Sequence, residues 1–220
     1  MSAVAGYAAS PLVERIVVPA FVGVEQSGSF TQNYTFTAAP LGAAPPAGTT
    51  KGVLFAVGNG GYNGIVPSSV ELDGDPASLL TAADTNDWNC SMWFIPTNKT
   101  SGEITVSYQS WCSAISIGKF YVLDADPTPV AAVPGSGSSS VALSGLLPAN
   151  GAGLAVSQST GGSNPSWTGI AKQYGVDINS NEWSSGAMIA GGESDETLNV
   201  VSDGGGGNPR GVLVTFAPRG

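Results

Sequence analysis

The chain has 220 residues, 42 % of them apolar but only 10 % charged, and its net charge is −9. A core can be buried in one large β domain or two small ones, but charge far below the ~25 % of ordinary soluble domains leaves Ser, Thr, Asn, Gln and Gly to cover the surface. The seven basic residues, Arg15, Lys51, Lys99, Lys119, Lys172, Arg210 and Arg219, are scattered, which argues against nucleic acid as a partner, and the lack of histidine removes the commonest general base and metal ligand.

The first 50 residues differ from the rest. The opening MSAVAGYAASPLVERIVV lacks the basic start and long apolar stretch of a signal peptide, so synthesis in a cytoplasm is expected. No apolar run reaches the ~18 residues of a membrane span, so no membrane partner is expected. Arg15–Glu25 reads as a strand that Pro19 pushes to a sheet edge. Ser29–Phe36 alternates, with Phe30, Tyr34 and Phe36 on one face, and APLGAAPPAGTT is an extended linker. Residues 1–50 are therefore an arm that docks on a neighbouring subunit, or edge strands of the same sandwich; residues 51–220 form the sandwich domain.

From Gly52 onward strand signals recur at short intervals, at 52–57, 68–72, 79–83, 90–96, 103–109, 112–123, 139–145, 153–157, 184–189, 197–202 and 210–216, separated by turn clusters such as GNGGYNG, DGDP, DADPTP and DGGGGNP. The segment Glu103–Gln109 alternates strictly. Ile104, Val106 and Tyr108 share one face, and Glu103, Thr105, Ser107 and Gln109 the other, as in an antiparallel strand with one dry and one wet side. Within Cys112–Leu123 the inward parity switches near Gly118, which predicts a β-bulge. Neither a helix nor an exact internal repeat is visible. The expected fold is all-β, an antiparallel β-sandwich of jelly-roll type with an N-terminal extended arm.

Candidate chemistry is sparse. Asp73 and Asp75, Asp84 and Asp87, and Asp124 and Asp126 could hold calcium, but Asp beside Gly or Pro is also the usual residue of a tight turn, and the turn is the preferred reading. Glu71, Glu103, Glu182, Glu193 and Glu196 offer no evident glycosidase pair. A serine nucleophile has no histidine to activate it, and neither a G-x-S-x-G elbow nor a Walker loop occurs. The expectation is a protein that is not an enzyme, with no cofactor and no metal. Cys90 and Cys112 lie on strands expected to be neighbours; they form a cross-strand disulfide or stay as two buried thiols, the plainer reading for cytoplasmic synthesis. The sequons at Asn33, Asn89 and Asn98 are read as chance. Of the five tryptophans, Trp93 is assigned to the core, while Trp167, in SNPSWTG, and Trp183 are the candidates to stack on a sugar ring.

Three stretches carry a family resemblance: SVELDGDPASLL, the long run from WNCSMWFIP through EITVSYQ to KFYVLDADPT, and VALSGLLPANGAGLAVSQSTGGSNPSWTG with the closing RGVLVTFAP. Together they cover about Gly52–Pro218 and resemble β-sandwich virion structural proteins of tailed bacteriophages and prophages. The resemblance lies in the arrangement of strands and turns, not in one signature. It implies a virion protein made in the host cytoplasm and exposed on the particle, as head decoration, head fibre or tail appendage. Its implied partners are other virion proteins of capsid or tail and further copies of itself, a trimer being favoured. The alternative is a carbohydrate-binding module or tail appendage that binds a host-surface glycan.

Overall fold

The structure, a computed structural model, describes residues 15–60, 65–84, 89–179, 182–204 and 207–220. Its regular elements are all strands. The first half contains β1 (Val18–Ser27), β2 (Thr31–Pro40), β3 (Lys51–Gly60), β4 (Ser69–Leu72), β5 (Asp75–Pro76), β6 (Ser78–Asp84), β7 (Asn89–Pro96), β8 (Ser101–Cys112) and β9 (Ala114–Leu123). The second half contains β10 (Ala131–Ser136), β11 (Ser140–Leu147), β12 (Ala152–Thr160), β13 (Ser166–Thr168), β14 (Ala171–Asp177), β15 (Glu182–Ala190), β16 (Glu196–Asp203) and β17 (Gly207–Phe216).

These strands form four antiparallel sheets. In the first half the orders are β1-β9-β3-β7-β6 and β2-β8-β4-β5; in the second they are β10-β17-β12-β15-β14 and β11-β16-β13. Three cores separate four layers. Leu54, Ala56, Met92, Phe94, Phe120 and Val122 of the first five-stranded sheet meet Leu154, Val156, Val212, Val214 and Phe216 of the second. The opposite face of the first, with Val53, Phe55, Trp93, Ile115 and Ile117, packs on Val70, Ile104, Val106 and Tyr108 of its outer sheet. Ala155, Ala187 and Leu213 do the same against Val141, Leu143, Leu198 and Val200. Two β-sandwiches thus stand back to back. Each fully buried large side chain in these cores contributes roughly 1.5–3 kcal/mol.

The layering explains the local sequence. β8 keeps its wet face, so Ile104, Val106 and Tyr108 are buried while Glu103 and Gln109 are exposed, as the alternation predicted. β3 and β12 are covered on both sides and, apart from Lys51, Asn59 and Gln158, consist of apolar and small residues without alternation. The same double burial corrects the bulge expected at Gly118. β9 pairs with β3 without interruption; Ile115 and Ile117 fill one core and Phe120 and Val122 another, which the sequence presents as a change of parity. The irregularity lies in neighbouring β1, between Phe21 and Gly23.

Although no exact repeat is visible in the sequence, the second half retraces the first strand by strand. β10, β17, β12, β15 and β14 occupy the positions of β1, β9, β3, β7 and β6, and β11, β16 and β13 those of β2, β8 and β4. Register follows: Leu54 stands between Phe120 and Phe94, and Leu154 between Val214 and Met188. Even the irregularity of the edge strand recurs, between Leu79 and Thr81 and between Lys172 and Tyr174. Within residues 1–50, β1 pairs with β9 and β2 with β8, each at the edge of its sheet. Met1–Glu14 lie outside the described residues.

Candidate functional site

The strands give the molecule two distinct ends. β3 and β12 both run from the end where Phe94 meets Phe216, ring centroids 5.9 Å apart, to the end where Gly60 meets Glu182. Val17 and Asn150, joined by a 2.8 Å backbone hydrogen bond, lie at the first end, as do Arg219 and Asp124, joined at 2.7 Å. Both described chain ends are therefore at that end. At the opposite end lie the turn between β1 and β2, the close of β8 and the start of β15.

At the terminal end, an ion is buried rather than offered. Lys51 is 3 % exposed. Its Nζ donates to the carbonyls of Ala43 and Lys99 at 3.0 and 2.9 Å, reaches that of Gly42 at 3.4 Å, and stands 5.2 Å from the Tyr121 ring centroid. Burial lowers its pKa. Of the acidic pairs read as turns, Asp73 and Asp124 sit in turns or loops, whereas Asp75 lies in β5 and Asp84 closes β6. Asp73 and Gly74 take positive φ, 52° and 84°, between β4 and β5. Asp73 accepts from the Glu103 amide at 2.7 Å and from Lys99 Nζ at 2.8 Å, which hold its carboxyl below the usual range, the lysine foremost. Asp124 and Asp126 accept backbone amides at 3.0 and 2.8 Å. Among the described residues no group of three or more Cys, Asp or Glu could hold a metal ion, and Asp87 lies outside them.

At the loop end, the space between the two five-stranded sheets becomes polar. The first half supplies small residues there, Gly58, Gly60, Ser116 and Gly118. The second supplies Gln158, Tyr174, Glu182 and Ser184, which lie against those glycines: a Cβ on Gly58 would stand 2.5 Å from Gln158 Oε1 and 2.6 Å from Ser184 Oγ, one on Gly60 would strike the Glu182 carboxylate, and one on Gly118 the Tyr174 ring. Both amide atoms of Gln158, Ser116 Oγ and Glu182 Oε2 are buried without a hydrogen-bond partner. Burial pushes the Glu182 carboxyl up to about 7, helped by Asp177 and opposed by a hydrogen bond from Asn179.

The outer surface at this end carries an aromatic pair. Phe30 and Trp111 are 61 % and 50 % exposed, and their rings stack at 5.3 Å with a 16° tilt. Tyr34, buried beneath, places its Oη 2.7 Å from the carbonyl oxygens of both Ser29 and Cys112, the neighbours of the two rings. Burial raises the Tyr34 pKa, so it stays a phenol.

The two tryptophans chosen from sequence lie in the second half, on β13 and β15. Trp167 is half-buried against the third core and donates Nε1–H to Ser185 Oγ at 2.8 Å. Trp183 is partly buried on β15, with its Nε1 enclosed. Trp93 is a core residue, as expected, and Trp88 lies outside the described residues. Cys90 and Cys112 are free buried thiols in different cores; burial pushes Cys90 up to about 12 and raises Cys112 as well. The exposure of Trp111 had a sequence signal, because the period of two that buries Tyr108 places Trp111 on the face of Gln109 and Ser107. The position of Glu182 had none. No known family and no curated protein matches the chain.

Proposed function

We propose that the chain is a non-enzymatic virion surface protein of the head-decoration or head-fibre type, acting by assembly. The observation that carries this reading is the polarity of the fold: both described chain ends lie at one end and the exposed aromatic pair at the other, an arrangement suited to anchoring by the termini and display of the loops. The weakly charged surface agrees, because few charges need desolvation where copies or capsid subunits meet. The first half is read as a jelly-roll type sandwich, since β1-β9-β3-β7 and β2-β8-β4-β5 form two facing four-strand sets, with β6 added at an edge; the second half follows the same order with a three-stranded outer sheet, β11-β16-β13. Binding at several sites of a shell would let modest contacts add up through multivalency.

The reading predicts that the full chain self-associates through its first residues. The informative deletion is Met1–Glu14, because cutting to residue 50 would remove two sheet strands. Sedimentation velocity should show an oligomer, a trimer first, for the full chain and a folded monomer for residues 15–220. A full chain that stays monomeric and does not bind purified particles would overturn the proposal.

A further inference from the structure

We infer that Phe30 and Trp111, with the outer face of β8, form a binding platform for a neutral oligosaccharide. The aromatic pair stands at the head of a polar row. Along β8 the outward residues after Trp111 are Gln109, Ser107 and Thr105, and β2, whose ladder with β8 shifts register between Thr31 and Asn33, places Asn33 opposite Ser107 and Thr35 opposite Thr105. A flat aromatic surface beside hydroxyl and amide groups matches the two sides of a pyranose: an apolar C–H face that stacks on a ring and equatorial hydroxyls that hydrogen-bond at its rim.

The platform is held in place before any ligand arrives. Tyr34, 3 % exposed, meets the carbonyls beside both rings, and its own ring packs edge-on against Tyr108 at 6.0 Å. The two aromatic side chains also order one another by stacking. Little conformational entropy remains to be lost on binding, which is what makes an exposed ring an anchor rather than a cost. The flanking groups select the ligand. Beside the rings Ser29, Thr31, Asn33, Gln109, Ser110 and Ser113 are uncharged, and the charged groups at the far end of the row, Glu103 and, opposite Thr105, Glu71, are anionic, so neither an anionic glycan nor a phosphate is offered a cation. The hydroxyl-lined face also lacks the contiguous apolar area that a protein partner would cover. This site lies apart from Trp167 and Trp183, and it does not depend on the virion proposal.

The test uses the purified full chain on an array of neutral glucose-, galactose-, mannose- and N-acetylglucosamine-containing oligosaccharides, with sialylated and sulfated sugars alongside. Positives are then titrated by calorimetry. The expected result is binding to at least one neutral oligosaccharide, weakened at least ~10-fold in Trp111→Ala and measurably in Gln109→Ala. Unchanged thermal melting of each variant shows that folding is not the cause, and Gln109→Ala carries the test if Trp111→Ala does not fold. Binding to no neutral sugar, binding to anionic sugars alone, or affinities unchanged in the folded variants would overturn the inference.

Discussion

Replacing Glu182 by glutamine changes one proton and almost no volume, yet it should change how stability depends on pH. The carboxyl lies between the two central sheets, 9 % exposed, against Gly60 of the opposite half. Desolvation foremost moves it from the ordinary 4.5 to about 7. The folded chain therefore holds a proton between those values that the unfolded chain releases. Stability from this group is fully present below pH 4.5, declines as pH rises to about 7, and stays lost above. The loss is about 3 kcal/mol at most, because an ionised carboxylate at the mouth of the layer can turn toward water. Glutamine has no such dependence. Urea unfolding of both proteins at several pH values between 4.5 and 8.5 isolates the effect, since titrating groups not coupled to Glu182 cancel in the difference. The variant should match the wild type at the acid end and exceed it by about 2–3 kcal/mol at the alkaline end. A difference that is flat across this range refutes a buried, proton-holding Glu182.

Two further substitutions probe the packing of the halves and the terminal end. Gly118→Val places a branched side chain against the Tyr174 ring; it should cost about 3 kcal/mol and lower the Tm by roughly 5–10 °C in calorimetry, and an unchanged Tm would mean the sheets separate freely there. Lys51→Met leaves the carbonyls of Gly42, Ala43 and Lys99 without their donor; it should cost about 2–4 kcal/mol, seen as a lower urea midpoint with the slope unchanged. An undisturbed midpoint would show that water replaces the ammonium without loss.

Strands with one wet side were readable from sequence because their alternation survives. β8 is the clearest, and β4 and β16 are bounded by the turn chemistry that flanks them; β7, buried on both faces, was legible instead as a short apolar run between turns. β5, read as part of the DGDP turn, and β10, β13 and β14 were not found. AAVPGS carries Pro and Gly, SWT is three residues long, and AKQYGVD interrupts its pattern at an edge irregularity. The structural repetition was hidden for a related reason. Equivalent positions keep their place in the ladder but not their residue type, one half being small where the other is large: Gly58 pairs with β7 and β9 as Gln158 does with β15 and β17. The aromatic pair depends on a contact between the β1–β2 turn and the far end of β8, and only Trp111's parity foreshadowed it. Glu182 becomes unusual through its surroundings, which no spacing announces.

The way the ladders are partitioned has a consequence for how the protein is made. Every strand pairing of the first four-stranded and five-stranded sheets closes between Val18 and Leu123, and every pairing of the other two between Ala131 and Phe216. No ladder joins the two sets among the described residues. The first sandwich can therefore complete its strand pairing on the ribosome before the second has emerged. Until its partner arrives it carries Leu54, Met92, Phe94, Phe120 and Val122 bare on one sheet face. Synthesis of the last hundred residues is then a race between docking of the sister sandwich and capture of that face by another nascent chain, and slowing translation past Leu123 should shift the yield toward aggregates.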